Sequence, residues 1–244
     1  MRKPIYNWIF ATLFAGMLAI SAPAVAKDEI HSYKVYVGGL TVGTLNMSAR
    51  IENGRYAAVA KVIGGGLIGA IFDLQFSGRS DGSVDGAGGF NAQKYTAEER
   101  DDGETKKRLL QFRGGTPTKV EFSPARKPRS YDIDPGKQRG TVDPITAALT
   151  LLQDTPAEKA CGRSVEIFDG SKRTRIKLDK LQSGSDGSFA CNGVFSRIAG
   201  YSDKQLAKQN AFPFTIHYKQ SNDGLVVTKF DAASIFGRIS AVRR

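Results

Sequence analysis

The chain has 244 residues, with 35 Lys and Arg against 24 Asp and Glu, a formal net charge of +11, two histidines and two cysteines. Two histidines, His31 and His217, cannot build a multi-histidine metal centre, and neither a Gly-x-Ser-x-Gly elbow nor a His-Glu metalloprotease motif is present. The length suits one domain of all-β type, or two small ones.

Arg2 and Lys3 precede a mostly apolar run over residues 8–20, and Ala24-Val25-Ala26 has the small-x-small form of a signal peptidase site. This predicts a secretion signal over residues 1–26, cleavage between Ala26 and Lys27, and a single mature domain over residues 27–244. The apolar run is short for a membrane span, and no second one of ~20 residues follows. No cysteine lies near the cleavage point, which removes a lipoprotein anchor. The expected location is the periplasm, where nucleic acid is not a partner. Cys161 and Cys191 form an even pair in an oxidising compartment, so they are expected to be bonded.

From Lys27 onward the pattern is β. Tyr33, Val35 and Val37 alternate with polar neighbours, then Leu45, Met47, Ala49 and Ile51 do the same. Asn53-Gly54 predicts a two-residue hairpin turn, because both positions of that turn need positive φ. Residues 56–63 return as a third strand. Gly64-Gly65-Gly66-Leu67-Ile68-Gly69 matches the glycine spacing of a dinucleotide-binding turn. The short apolar run 67–74 is not the full helix that such a site needs, so no cofactor is expected. It reads instead as a plug at one end of the sheet. Residues 79–89 are either a long turn or a glycine-weakened strand able to curve. Residues 95–100 and 106–113 form a hairpin around Asp101-Asp102-Gly103, and 119–122 is a further strand. An irregular connection follows over residues 123–140.

Asp143-Pro144 is an N-cap followed by proline at the first helical position. With Ile145, Ala148, Leu149 and Leu152 at helical spacing, it predicts a helix over residues 143–153. A hairpin turning at Asp169-Gly170 comes next. Its second strand sets Thr174, Ile176 and Leu178 against Arg173, Arg175 and Lys177. Three cations on one strand face repel unless Glu166, Asp169 or Asp179 offsets them or an anion is bound. Arg173, Arg175 and Lys177 are therefore candidate anion-binding residues, with a solvated outer face as the plain alternative. Residues 202–210 read as a short exposed helix. Phe214, Ile216 and Tyr218, then 225–230 and 235–242, complete the strands, with His217 facing solvent.

These stretches carry a resemblance. The strand Tyr33-Lys34-Val35-Tyr36-Val37-Gly38-Gly39, the helix start Asp143-Pro144-Ile145-Thr146-Ala147-Ala148 and the hairpin Phe168-Asp169-Gly170-Ser171-Lys172-Arg173 come in the order and spacing of a known family. With Cys161, Cys191 and Ile198-Ala199-Gly200-Tyr201 they resemble the bacterial family catalogued as domain of unknown function 3108 (DUF3108). The resemblance implies an exported β-rich protein of the Gram-negative envelope and supplies no catalytic residue.

The fold expected is mainly β: a strongly curved antiparallel sheet forming a half-barrel, barrel or spiral, with one or two short helices on its concave side. Two functions compete. One is a non-enzymatic envelope protein that binds a partner protein or an amphipathic or anionic molecule. The other is an enzyme acting on a cell-wall or glycan substrate, with acids such as Glu98-Glu99 or Asp101-Asp102 assembled in space. The lining of the concavity discriminates: apolar with a basic rim supports binding, paired carboxylates in a cleft support hydrolysis. No catalytic or metal residue is singled out.

Overall fold

The computed structural model describes residues 26–65, 75–101, 103–185, 187–222, 224–234 and 237–244. The expected leader up to residue 25 and the 67–74 run lie outside the described residues. Seven strands come first: β1 (Lys27–Val37), β2 (Leu40–Glu52), β3 (Arg55–Gly64), β4 (Gln75–Val84), β5 (Phe90–Asp101), β6 (Glu104–Arg113) and β7 (Thr116–Ser123). Then come a 3-10 turn (Pro135–Lys137) and helices α1 (Pro144–Leu152) and α2 (Ala157–Ala160). The chain continues with β8 (Ser164–Phe168), β9 (Arg173–Leu178), the two-residue β10 (Gln182–Ser183) and β11 (Phe189–Ala199). Helix α3 (Asp203–Lys208), β12 (Ala211–Ser221), β13 (Gly224–Ser234) and β14 (Gly237–Arg243) complete it.

All fourteen strands belong to one antiparallel sheet of order β7-β6-β5-β4-β3-β2-β1-β14-β13-β12-β11-β9-β8, with β10 pairing β11 off the main path. Two meanders thus meet at a central seam, where β1 pairs β14 from Tyr33 opposite Arg243 to Val37 opposite Ile239. Irregularities in register fall at Val35/Tyr36, Asp81/Gly82, Gln111/Phe112, Arg197/Ala199 and His217/Tyr218. Such irregularities bend strands and increase their twist, which is how a sheet this wide curls. Among the described residues the sheet does not close by strand pairing. Residues 140–142 strap its edges together: Gly140 N–H donates to Gly115 O just before β7, while Val142 N–H donates to Glu166 O and Val142 O accepts from Phe168 N–H in β8.

Local chemistry explains several elements. Asn53 and Gly54 sit at φ 51° and 68°, the positive-φ pair that a tight hairpin demands. Residues 79–84 end β4 and 85–89 form a turn, so each alternative holds for part of the stretch. Gly78 of β4 has a packing reason: a Cβ there would lie 2.8 Å from Ile145 Cδ1, so the bare backbone lets α1 rest on the sheet. Among the described residues, the short helix α2 is one that was not read from the sequence. Four residues following Pro156 carry no readable period.

Helix α1 serves two cores. On one side Ile145 and Leu149 pack with Met47, Tyr56, Ala58, Phe90, Tyr95, Leu110 and Phe112 of β2–β6. The other side turns Leu151 toward Tyr33, Leu178, Cys191, Phe214, Ile216, Tyr218, Leu225 and Val227.

Candidate functional site: an apolar cup with a basic mouth

The second core does not fill its half of the sheet. A cavity of about 780 Å³ lies between α1 and strands β9 and β11–β14, within the range of about 300–1,000 Å³ typical of small-molecule pockets. Its walls are Leu45, Ile176, Phe195, Phe214, Ile216 and Phe230. The space exists because small residues face it: Ala147 and Ala148 on α1, Ala232, Ala233 and Ala241 on β13 and β14.

One end of the cup is sealed. Thr155, in the link between α1 and α2, exchanges both backbone hydrogen bonds with Leu225 at the start of β13. Tyr218 Oη donates to Ala160 O over 3.3 Å. Cys161 and Cys191 are disulfide-bonded with Cα atoms 5.9 Å apart and 30 residues of separation, tying α2 to β11. Leu178, Leu225, Val227, Ala160 and Cys191 are fully buried there.

The opposite end carries the polar lining: Arg197, Lys208, Gln209 and Ser234. Helix α3 sits at this mouth with a capping box, Ser202 and Gln205 each bonding the other's backbone N–H. Arg197 donates to Gln205 O and Gln209 O, both at 2.7 Å, neutralising the carbonyls at the C-terminal end of α3. Its guanidinium also lies 5.1 Å from the Tyr201 ring centre and 4.9 Å from that of Phe212. Lys172 approaches the same Tyr201 ring at 5.2 Å. Burial and the nearby Asp169 charge push the Tyr201 hydroxyl up to about 12, so it stays protonated at neutral pH. No carboxylate lines the cup among the described residues.

The residues singled out by sequence fall elsewhere. Arg173 and Arg175 lie on the outer face of β9, and both pair with Glu166, Arg173 Nε at 2.9 Å. Glu166 is one of the offsets weighed from the sequence. Lys177 stands apart from them in a cleft with Arg163, Lys180 and a single acid, Asp179. His217 is partly exposed, 3.1 Å from Asp231. Asp143 is completely buried and does more than cap the helix. Its Oδ1 accepts from Ile145 and Thr146 N–H, while Oδ2 accepts from the Thr146 and Ser80 hydroxyls. Tyr56 Oη joins at 2.6 Å from Thr146 Oγ1. Burial pushes the Asp143 carboxyl above its ordinary range despite these donors. The mouth residues Arg197 and Lys208 went unremarked in the sequence. Nothing local marks them, since the mouth is assembled by strand order.

No curated protein matches this sequence. Among solved structures the chain is similar to a beta-barrel-like protein of domain of unknown function DUF1849 from Brucella abortus. Identity is 12%, covering 91% of this chain and 97% of that one, at a TM-score of 0.41. The family described as protein of unknown function DUF3108 matches residues 32–185, from β1 through β10 and including α1. The chain belongs to the DUF3108 family.

Proposed function

We propose that this is an exported, non-enzymatic protein of the cell envelope that holds the apolar tail of an anionic amphiphile in the cup. The observation that carries the reading is the cup itself: sealed at the disulfide end, apolar along its walls, and basic where it opens. An acyl chain entering there removes its own surface and the cup's from water, worth about 25 cal/mol per Å² of apolar area before the costs of binding. An anionic headgroup left at the mouth meets Arg197, Lys208 and Lys172. The enzymatic alternative needs paired acids in a cleft, and the cup's lining offers none among the described residues. Arg173 and Arg175 are engaged by Glu166, so the anion-facing share of the outer stripe falls to Lys177 beside Arg163 and Lys180.

The test is native mass spectrometry of protein purified from the periplasm, together with titration of a dansyl-labelled fatty acid. The mature chain should begin at Lys27, carry an amphiphile, and bind the probe saturably. Ala232→Phe fills the cup from β13. It should weaken the probe at least about tenfold, or 1.4 kcal/mol, while the melting temperature holds or rises. A wild-type chain that yields no lipid and binds no probe overturns the reading.

A further inference from the structure

Away from the cup's mouth, the start of β1 and the chain just after α1 bring three potential metal ligands together. Strand alternation turns Glu29, His31 and Tyr33 inward from β1. Asp154 arrives from the end of α1, 125 residues away from Glu29. One ligand atom from each of Glu29, His31 and Asp154 lies within 4.8 Å of the others. Glu29 is 3% exposed and His31 1%.

His31 is the anomaly. Its Nε2 lies 3.1 Å from Glu29 Oε2, while Nδ1 has no hydrogen-bond partner among the described residues. Buried polar atoms are satisfied in the great majority of cases, and an imidazole set this deep against a carboxylate, with its other nitrogen unpartnered, has capacity for a ligand. A cation already marks the spot. Lys27 Nζ sits 2.6 Å from Glu29 Oε1 and donates to Asp154 O over 3.2 Å. The Lys27 side chain is 52% exposed, so its ammonium can return to water at little cost. Arg243 Nη1 lies 3.2 Å from Asp154 Oδ1 and braces that carboxylate from the other side.

We propose that Glu29, His31 and Asp154 bind a divalent transition-metal ion, with the Lys27 ammonium as its intramolecular competitor. One imidazole nitrogen and two carboxylate oxygens form a donor set of borderline hardness, suited to Zn²⁺ or Mn²⁺ and unsuited to copper(I), which prefers sulfur. The two carboxylates cancel the ion's charge once Lys27 swings out. Asp154 N–H, 3.4 Å from Glu29 Oε2, and Arg243 are the outer partners that orient the carboxylates. The ion would tie β1 to the link that seals the cup, so its role is structural.

The experiment uses tag-free, chelator-stripped mature protein titrated calorimetrically with ZnCl₂ and with MnCl₂, and Co²⁺ absorption as a reporter of nitrogen ligation. Wild type should bind one ion per chain. Asp154→Asn, partly exposed and the substitution least disruptive to folding, should weaken binding at least tenfold. His31→Gln should in addition alter the Co²⁺ spectrum, and His217→Ala should change nothing. Lys27→Ala is the deciding variant: removing a competitor tightens binding, whereas a purely ionic network would only lose a partner. Absence of saturable binding in both wild type and Lys27→Ala overturns the proposal, as does unchanged affinity in Asp154→Asn.

Discussion

Helix α1 presents Ile145 and Leu149 to β2–β6, where Tyr56, Phe90, Tyr95 and Leu110 close over them. Toward β9 and β11–β14 it presents Ala147, Ala148 and Leu151, and there the aromatic walls stand off from the helix. The first half is fastened by a buried hydroxyl–carboxylate knot at Asp143; the second is fastened at its base by the disulfide and left hollow above it. The difference separates two jobs that a core usually combines. One half specifies where the helix lies, and the other uses that fixed helix as the wall of a container.

The largest expected effect breaks the first half. Asp143→Ala removes the cap and strands the Ser80 and Thr146 hydroxyls, for about 2–5 kcal/mol. Asp143→Asn keeps an acceptor for the N–H groups and should cost less than half as much in chemical denaturation. Replacing Cys161 and Cys191 together with serine should cost about 3–4 kcal/mol through loop entropy. Hydrogen exchange should then rise first around α2 and β11, with Tyr56 and Leu110 still protected. Uniform loosening would show that the halves are not separable.

A matched pair of truncations sharpens the contrast. Leu149→Ala opens a new cavity in a filled core, for about 3–5 kcal/mol. Ile176→Ala only enlarges an existing one and should cost about 1–2 kcal/mol, because fewer neighbouring atoms lose contacts. Equal losses would mean the cup is as tightly packed as its counterpart.

The smallest effect is local and depends on pH. The Arg126 and Arg129 contacts hold the Asp132 carboxyl down to about 2, against 3.8 ordinarily. A depressed value stabilises the fold fully above the unfolded value, and that contribution is lost as pH falls from about 4 to about 2. The 123–140 connection should therefore loosen within this window, read from Tyr131 fluorescence, and Asp132→Asn should abolish the transition.

Legibility followed range. Asn53-Gly54, Asp143-Pro144 and the Thr174–Ile176–Leu178 alternation speak of their own neighbourhood, and each element formed where expected. Alternation also set Phe214 and Ile216 on one face of their strand. It is silent on whether an inward face meets a partner, so a concave side could be expected while the place of its cavity could not. Glu29, His31 and Asp154 show the same limit: nothing near residue 29 says that residue 154 will stand beside it.

The seam between β1 and β14 has a kinetic consequence. Either meander can zip hairpin by hairpin, at low loop-closure cost. The bonds from Tyr33 to Arg243 and from Val37 to Ile239 join positions at opposite extremes of the described chain. Such contacts are rewarded only after nearly the whole loop has been ordered, and proteins dominated by them fold slowly. Until the seam forms, β1 and β14 each carry a bare edge able to pair with another copy. The interval between making two half-sheets and joining them is the stage at which this chain is most exposed to misassembly.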